Sequence, residues 1–267
     1  MEIPFDVLKI VASYMTKHKM KLLDWIFDLE WDYLSRNPNA IHLLEVDPDN
    51  IYWQDLSRNP NAIHLLEANF NKIDFDFLSQ NPNAIHILEA NQDKINWCLL
   101  SENPNAIHLL EANPDKIDYY QLSKNPNAIH LLEANQDKIN WSGLSTNPNA
   151  IHILEANPDK ISWYYLSINP SAIHLLETNR DKINWSLLSE NPNAIRLLEE
   201  NQDDIHWSAL SCNYNAIHLL EANQNNQDKI DWDYLYENPS IFEPDMKQYN
   251  IDILNKAHIL DSILYNK

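Results

Sequence analysis

Apolar residues in this chain come in short clusters at steps of three and four, and the clusters return at a fixed distance. In Ala106-Ile107-His108-Leu109-Leu110 the apolar positions cover one side of a short helix. A second cluster, led by an aromatic residue, precedes it. The aromatics Trp31, Trp53, Phe75, Trp97, Tyr119, Trp141, Trp163, Trp185 and Trp207 are each 22 residues apart. Trp232 follows 25 residues on, after a three-residue insertion near Gln224 to Gln227. One unit reads Ile-Asn-Trp-x-x-Leu-Ser-x-Asn-Pro-Asn-Ala-Ile-His-Leu-Leu-Glu-Ala-Asn-x-Asp-Lys.

A period of this length lies in the range of leucine-rich repeats, whose template needs apolar residues three, five and eight positions before a key Asn. Before Asn157 those positions hold Leu154, His152 and Asn149, and before Asn169 they hold Leu166, Tyr164 and Ile161. The middle position is polar in other copies, so the template fails in both registers.

The boundaries predict two helices per unit. The residue before the aromatic is Asp74, Asn96, Asp118, Asn140, Ser162, Asn184 or Asp231 in most copies, the types that cap a helix N-terminus. The first helix then runs through Leu100 and Ser101 and stops before Pro. The second is expected to begin with Asn103 as N-cap and Pro104 in its first turn, and to end near Ala112. Asn113 suits a left-handed position after it, and Pro114-Asp115-Lys116 a turn. Helices this short are unstable alone, so each unit must bury its Ile, aromatic, Leu and Ala side chains against neighbours. The expectation is all-α: one elongated α-solenoid of nine 22-residue helix pairs. Residues 1–28 form an N-terminal segment, 29–238 the repeats and 239–267 a C-terminal helical cap.

Charge and cysteine content narrow the partners. The formal net charge of the 267 residues is −20, which disfavours nucleic acid and favours basic protein surfaces. Cys98 and Cys212 occupy non-equivalent positions, which is no disulfide framework and fits a reducing compartment. No apolar run is long enough for a membrane span, and the N-terminus lacks the basic region and cleavage site of a signal peptide. Gly143 is the one glycine, so Asn, Asp and Pro must make the turns.

Two further series keep the 22-residue step. One is His42, His64, His86, His108, His130, His152, His174, Arg196 and His218. The other is Glu45, Glu67, Glu89, Glu111, Glu133, Glu155, Glu177, Glu199 and Glu221. A metal site in every repeat is disfavoured. Helices pack about 8–10 Å apart, whereas metal–ligand bonds are about 2.0–2.2 Å, and Arg196 cannot serve as an ordinary ligand. The expected role is a structural ladder of polar contacts to Glu, to a backbone carbonyl or to the next copy's Asn. No metal, cofactor or catalytic residues are expected, because a catalytic constellation breaks a repeat pattern rather than following it. The aromatic series is expected in the core.

The copies differ most at the first, second and fifth residues after the aromatic, which form one patch on the first helix. Tyr33, Arg36, Arg58, Phe77, Lys124, Tyr165 and Tyr234 fall there and are the expected partner-binding face. Neutral drift at solvated positions is the alternative.

At the C-terminus, the stretch from Ile251 to Leu264 suits one or two closing helices. At the N-terminus, Ile3-Pro4-Phe5-Asp6-Val7-Leu8-Lys9-Ile10-Val11-Ala12-Ser13-Tyr14-Met15 resembles the first helix of an F-box. Ile3-Pro4 stands for its Leu-Pro, Val7-Leu8 and Ile10-Val11 for its apolar pairs, and Tyr14-Met15 for its ending. A plain amphipathic capping helix is the other reading. The F-box resemblance implies docking on a ubiquitin-ligase adaptor through Ile3, Pro4, Val7, Leu8, Val11 and Tyr14. The NPNAIHLLE repeats and the NPSIFE ending, over about residues 31–243, resemble repeat proteins of giant DNA viruses that infect amoebae. That resemblance implies a viral protein in the host cytoplasm, with virion association open. The function expected is non-enzymatic protein binding, as a viral F-box-like substrate receptor or, alternatively, as a structural scaffold.

Overall fold

The computed structural model describes Val7, Lys9 and residues 20–26, 29–223 and 229–265. The chain divides into two compact units, one of Asp28–Ser240 and one combining Met1–Phe27 with Ile241–Lys267.

Asp28–Ser240 is an all-α solenoid built from the 22-residue unit. Each repeat carries a first helix that starts at the aromatic, such as Trp97–Leu100, and a second such as Ile107–Ala112. A single turn of 3-10 helix, such as Pro114–Lys116, leads to the next extended Ile. Capping starts the first helices as the sequence predicts. The side chains of Asp74, Asn96, Asp118, Asn140, Asn184 and Asp231 each accept from the backbone N–H three residues on. Ser162 makes no such bond.

The second helix does not begin at Asn-Pro. It begins at the Ile, with Ala106 as its N-cap residue, while Asn103 is almost fully buried. The Asn is there to join repeats. The Asn103 amide donates to the carbonyls of Ser79 and Asn81, 3.0 and 3.1 Å away, and its oxygen accepts the N–H of Asn105. The Ser79 carbonyl is buried and takes its donor from this amide, while the Asn81 carbonyl accepts from Ala84 as well. The second Asn of the motif bonds across repeats as well: Asn105 donates to the Pro82 carbonyl at 2.9 Å. Asn113 is not left-handed either. Its φ is −135°, and its amide closes the second helix by donating to the Leu109 carbonyl.

Serine supplies the third join. The Ser101 hydroxyl donates to the Trp97 carbonyl and accepts the N–H of Asp118 in the next repeat. Between these polar joins lies a repeated apolar core in which Leu100, Ala106 and Leu110 are fully excluded from water. Each buried Leu contributes about 1.5–3 kcal/mol. The aromatic is outside that core. Trp97 is half-buried and the ammonium of Lys116 sits 4.4 Å from its ring centroid. Trp53, Trp141 and Trp163 are covered in the same way by Lys72, Lys160 and Lys182. The expectation of a core aromatic is therefore corrected. The ring is partly buried and carries a cation over its face.

The stack closes on itself, in place of the open, elongated array of nine pairs that the sequence suggested. Trp232–Glu237 adds a tenth first helix. Asn37 of the first repeat donates to the carbonyls of Tyr236 and Asn238, at 2.9 and 3.0 Å, and Asn39 donates to the Pro239 carbonyl. The two Asn37 bonds are those that join neighbouring repeats along the stack, as Asn59, Asn81 and Asn125 show, and the Asn39 bond recurs at Asn61, Asn83 and Asn127. The first and last repeats thus cover each other, and within this unit the asparagine ladder has no open end.

In the second unit, β1 (Met20–Leu22) pairs antiparallel with β2 (Phe242–Pro244), Leu22 opposite Phe242, and Lys21 bridges Glu243 at 2.8 Å. A single helix, Met246–Tyr265, follows, with Ala257 buried between Ile253 and Leu260. Of the residues that resemble an F-box, Val7 is helical and 44% exposed. Ile3, Pro4, Leu8, Val11 and Tyr14 lie outside the described residues. No helix among the described residues is long and apolar enough to cross a membrane.

Candidate binding face

The repeated His and Glu meet between repeats, not within one. Both lie on the second helix, and each His reaches the Glu of the preceding copy. The pairs are His64–Glu45 (2.8 Å), His86–Glu67 (2.9 Å), His108–Glu89 (2.8 Å) and His130–Glu111 (2.9 Å). His152–Glu133, His174–Glu155 and His218–Glu199 are longer, at 3.5, 3.1 and 3.3 Å. Arg196 replaces His and bonds Glu177 as well as Glu200. His42 turns instead to its own Asn39 carbonyl at 3.1 Å, and burial lowers its pKa against that bond. The ladder is exposed, so each pair adds at most about 1 kcal/mol.

The variable positions of the first helices form the other continuous surface, and their charges are largely engaged with one another. The guanidinium of Arg36 bonds Asp55 and Glu237, both at 2.6 Å, and the Tyr33 hydroxyl donates to Asp233. Arg58 donates to Gln80 and lies 4.4 Å from the Phe77 ring centroid. Lys124 donates to Gln121 at 2.8 Å and stands 3.9 Å from Glu102 and 4.8 Å from the Tyr120 ring. Tyr165 packs edge-on against Tyr164, and Tyr234 is exposed. Of the residues expected on this face, the cations thus join repeats, and the aromatics Tyr165 and Tyr234 remain open to solvent.

Burial governs the titration of this row. It works to lower the pKa of Arg36, but the bonds and charges of Asp55 and Glu237 outweigh it and the pKa rises. Glu237 is also raised, because burial outweighs its pairing with Arg36. Arg58 is lowered by burial and then by Arg36. Burial raises the Glu190 carboxyl, with His206 acting the other way. The Cys212 thiol is pushed up to about 12 by burial, helped by Glu190, Glu237 and Asp231.

A hollow of about 300 Å³ opens on this face. Its walls come from four consecutive first helices and include Lys124, Gly143, Thr146, Tyr165, Ile168 and Leu187. Sequence reasoning named Lys124 and Tyr165 but missed the hollow. The signal was the run Ser142, Gly143, Thr146, in which all three variable positions of one repeat are small.

A family model described as periplasmic copper-binding protein (NosD) matches residues 28–215, and the chain belongs to that family. No curated protein and no solved structure matches the chain. Copper sites gather several imidazole, thiolate or thioether donors about one point. Among the described residues, no group of three or more His, Cys, Asp or Glu is placed to hold a metal ion. Each ladder imidazole from His64 to His218 faces one carboxylate at hydrogen-bond distance. The described residues therefore do not fit copper.

Proposed function

We propose that this protein is a non-enzymatic interaction protein that presents the variable face of its first helices to a protein partner. The observation that carries the reading is the division of labour within the repeat. The repeated Asn, Ser, His and Glu join one copy to the next, whereas the variable positions of four consecutive copies line one concave surface. In the finer form of the proposal, the protein is an F-box-like substrate receptor in a host cytoplasm, docking a ubiquitin-ligase adaptor through Ile3, Pro4, Val7, Leu8, Val11 and Tyr14.

The test is binding of the purified protein to the adaptor subunit by interferometry, beside a Leu8→Asp, Val11→Asp variant checked for retained helix by circular dichroism. Binding lost only in the variant supports the receptor form. Absence of binding by either protein removes the adaptor and leaves the interaction face. The closure of the asparagine ladder favours a second reading, a rigid structural or virion-associated scaffold. Retention of partner binding after Tyr165→Ala and Tyr234→Ala would move that reading to first place.

A further inference from the structure

We propose that the hollow at Gly143 is a socket for one bulky apolar side chain of a protein partner, with an acidic residue beside it meeting Lys124. The inference rests on the protein-binding reading above and names the chemistry of that partner. Gly143 takes the position filled by Leu99, Tyr165 and Leu187 in other repeats, so a whole side chain is missing from the row. Ser142 and Thr146 keep the opening clear. Ile168, Leu187 and the ring of Tyr165 form an apolar wall on one side, and Lys124 stands on the other.

A volume of about 300 Å³ holds a Leu or Phe side chain with adjoining backbone, and is at the lower limit for a small-molecule site. Charge selects the neighbour. Lys124 is the one charged residue lining the hollow, in a chain of net charge −20. Its ammonium has three donors; Gln121 takes one at 2.8 Å, and the Glu102 carboxylate, at 3.9 Å, is beyond hydrogen-bond distance. A partner carboxylate can take a second donor without displacing either group. The occupant is therefore an apolar–acidic pair, with hydrophobic burial supplying affinity and Lys124 setting direction.

The test uses the full chain, isotopically labelled, titrated with the peptides Gly-Gly-Leu-Glu-Gly-Gly, its Leu→Ala version and its Glu→Lys version. The expected result is resonance shifts at Tyr165, Ile168 and Thr146, with binding about 10-fold or more weaker for the Ala peptide, the burial worth of a Leu side chain. Gly143→Leu, which restores the residue used in repeats four and eight, should abolish the shifts. A Cβ there meets the Tyr120 carbonyl at 3.1 Å and Ser123 Cβ at 3.3 Å, so a small local adjustment is required. Ile168→Ser is therefore run beside it and should weaken the Leu peptide without filling the hollow. Lys124→Glu should reverse the preference between the Glu and Lys peptides. Equal binding of the Leu and Ala peptides, or unchanged binding by Gly143→Leu, overturns the socket. Shifts confined to Tyr33, Phe77 and Tyr234 overturn it too but keep the protein-binding reading. Shifts at no first-helix residue count against both.

Discussion

The side-chain amide of Asn37 donates to the backbone carbonyl of Asn238 at 3.0 Å, across 201 residues of chain. The same atoms join Asn103 to Asn81 across 22 residues. A bond that is local in repeat geometry here spans nearly the whole unit.

Asn37→Ala tests that closure. It strips the Tyr236 and Asn238 carbonyls of a donor, at about 1–3 kcal/mol for each group left buried and unpaired. Asn125→Ala removes the equivalent bonds to Ser101 and Asn103 in mid-stack. Urea denaturation should show similar losses for both. A neutral Asn37→Ala beside a costly Asn125→Ala would mean that the first and last repeats are apart in solution.

Core and ladder should separate cleanly by magnitude. Leu110 is fully buried, so Leu110→Ala should cost about 2–5 kcal/mol. His108→Ala breaks only the exposed pair with Glu89 and should cost no more than about 1 kcal/mol. Equal losses in the same denaturation assay would assign the ladder a much larger share of stability than its exposure allows.

Glu190 gives a pH prediction. Burial raises its folded pKa above the unfolded value, so the native state holds its proton more tightly. Stability from this group therefore falls as pH rises from the unfolded value through the raised one, and a penalty remains at neutral pH. Glu190→Gln should raise the thermal midpoint slightly at pH 7. The gain should shrink as pH falls through the raised pKa and vanish below the unfolded value. A gain that does not change with pH would point to packing instead of charge.

The two cysteines should react at different rates. The thiolate is the nucleophile, and Cys212 is held thiol by burial and three acidic neighbours, with its pKa at about 12. Burial and Asp118 also raise the Cys98 thiol, but that side chain is exposed. Iodoacetamide at about pH 8 should label native Cys98 well before Cys212, followed by peptide mass spectrometry. Denaturant should remove the difference.

Local signals carried the parts of this fold that depend on neighbours in sequence. The caps at Asp74 and Asn96 bond only three residues away, and the Ala-Ile-x-Leu-Leu spacing marks one helix face, so both were readable. Asn103 was misread as a helix cap because its donors point 22 and 24 residues back. A residue type favoured at caps gives no sign of such a distant partner. His108 and Glu111 share a helix face three residues apart, yet each pairs with another copy. The half-exposed Trp97 depended on Lys116, 19 positions on, which reads as a surface turn residue. The hollow was hidden for a different reason: it is made by missing atoms at Gly143, and a search for chemical groups passes over them.

The closed ladder also changes how the structure comes apart. An open stack of weakly stable units frays from its terminal copies, each held on one side only, and disorder spreads inward step by step. Asp28–Ser240 has no such terminal copy among its first helices. To release any of them, the contacts on both of its sides must break together. The boundary condition is periodic, and gradual peeling gives way to a more concerted, all-or-none opening.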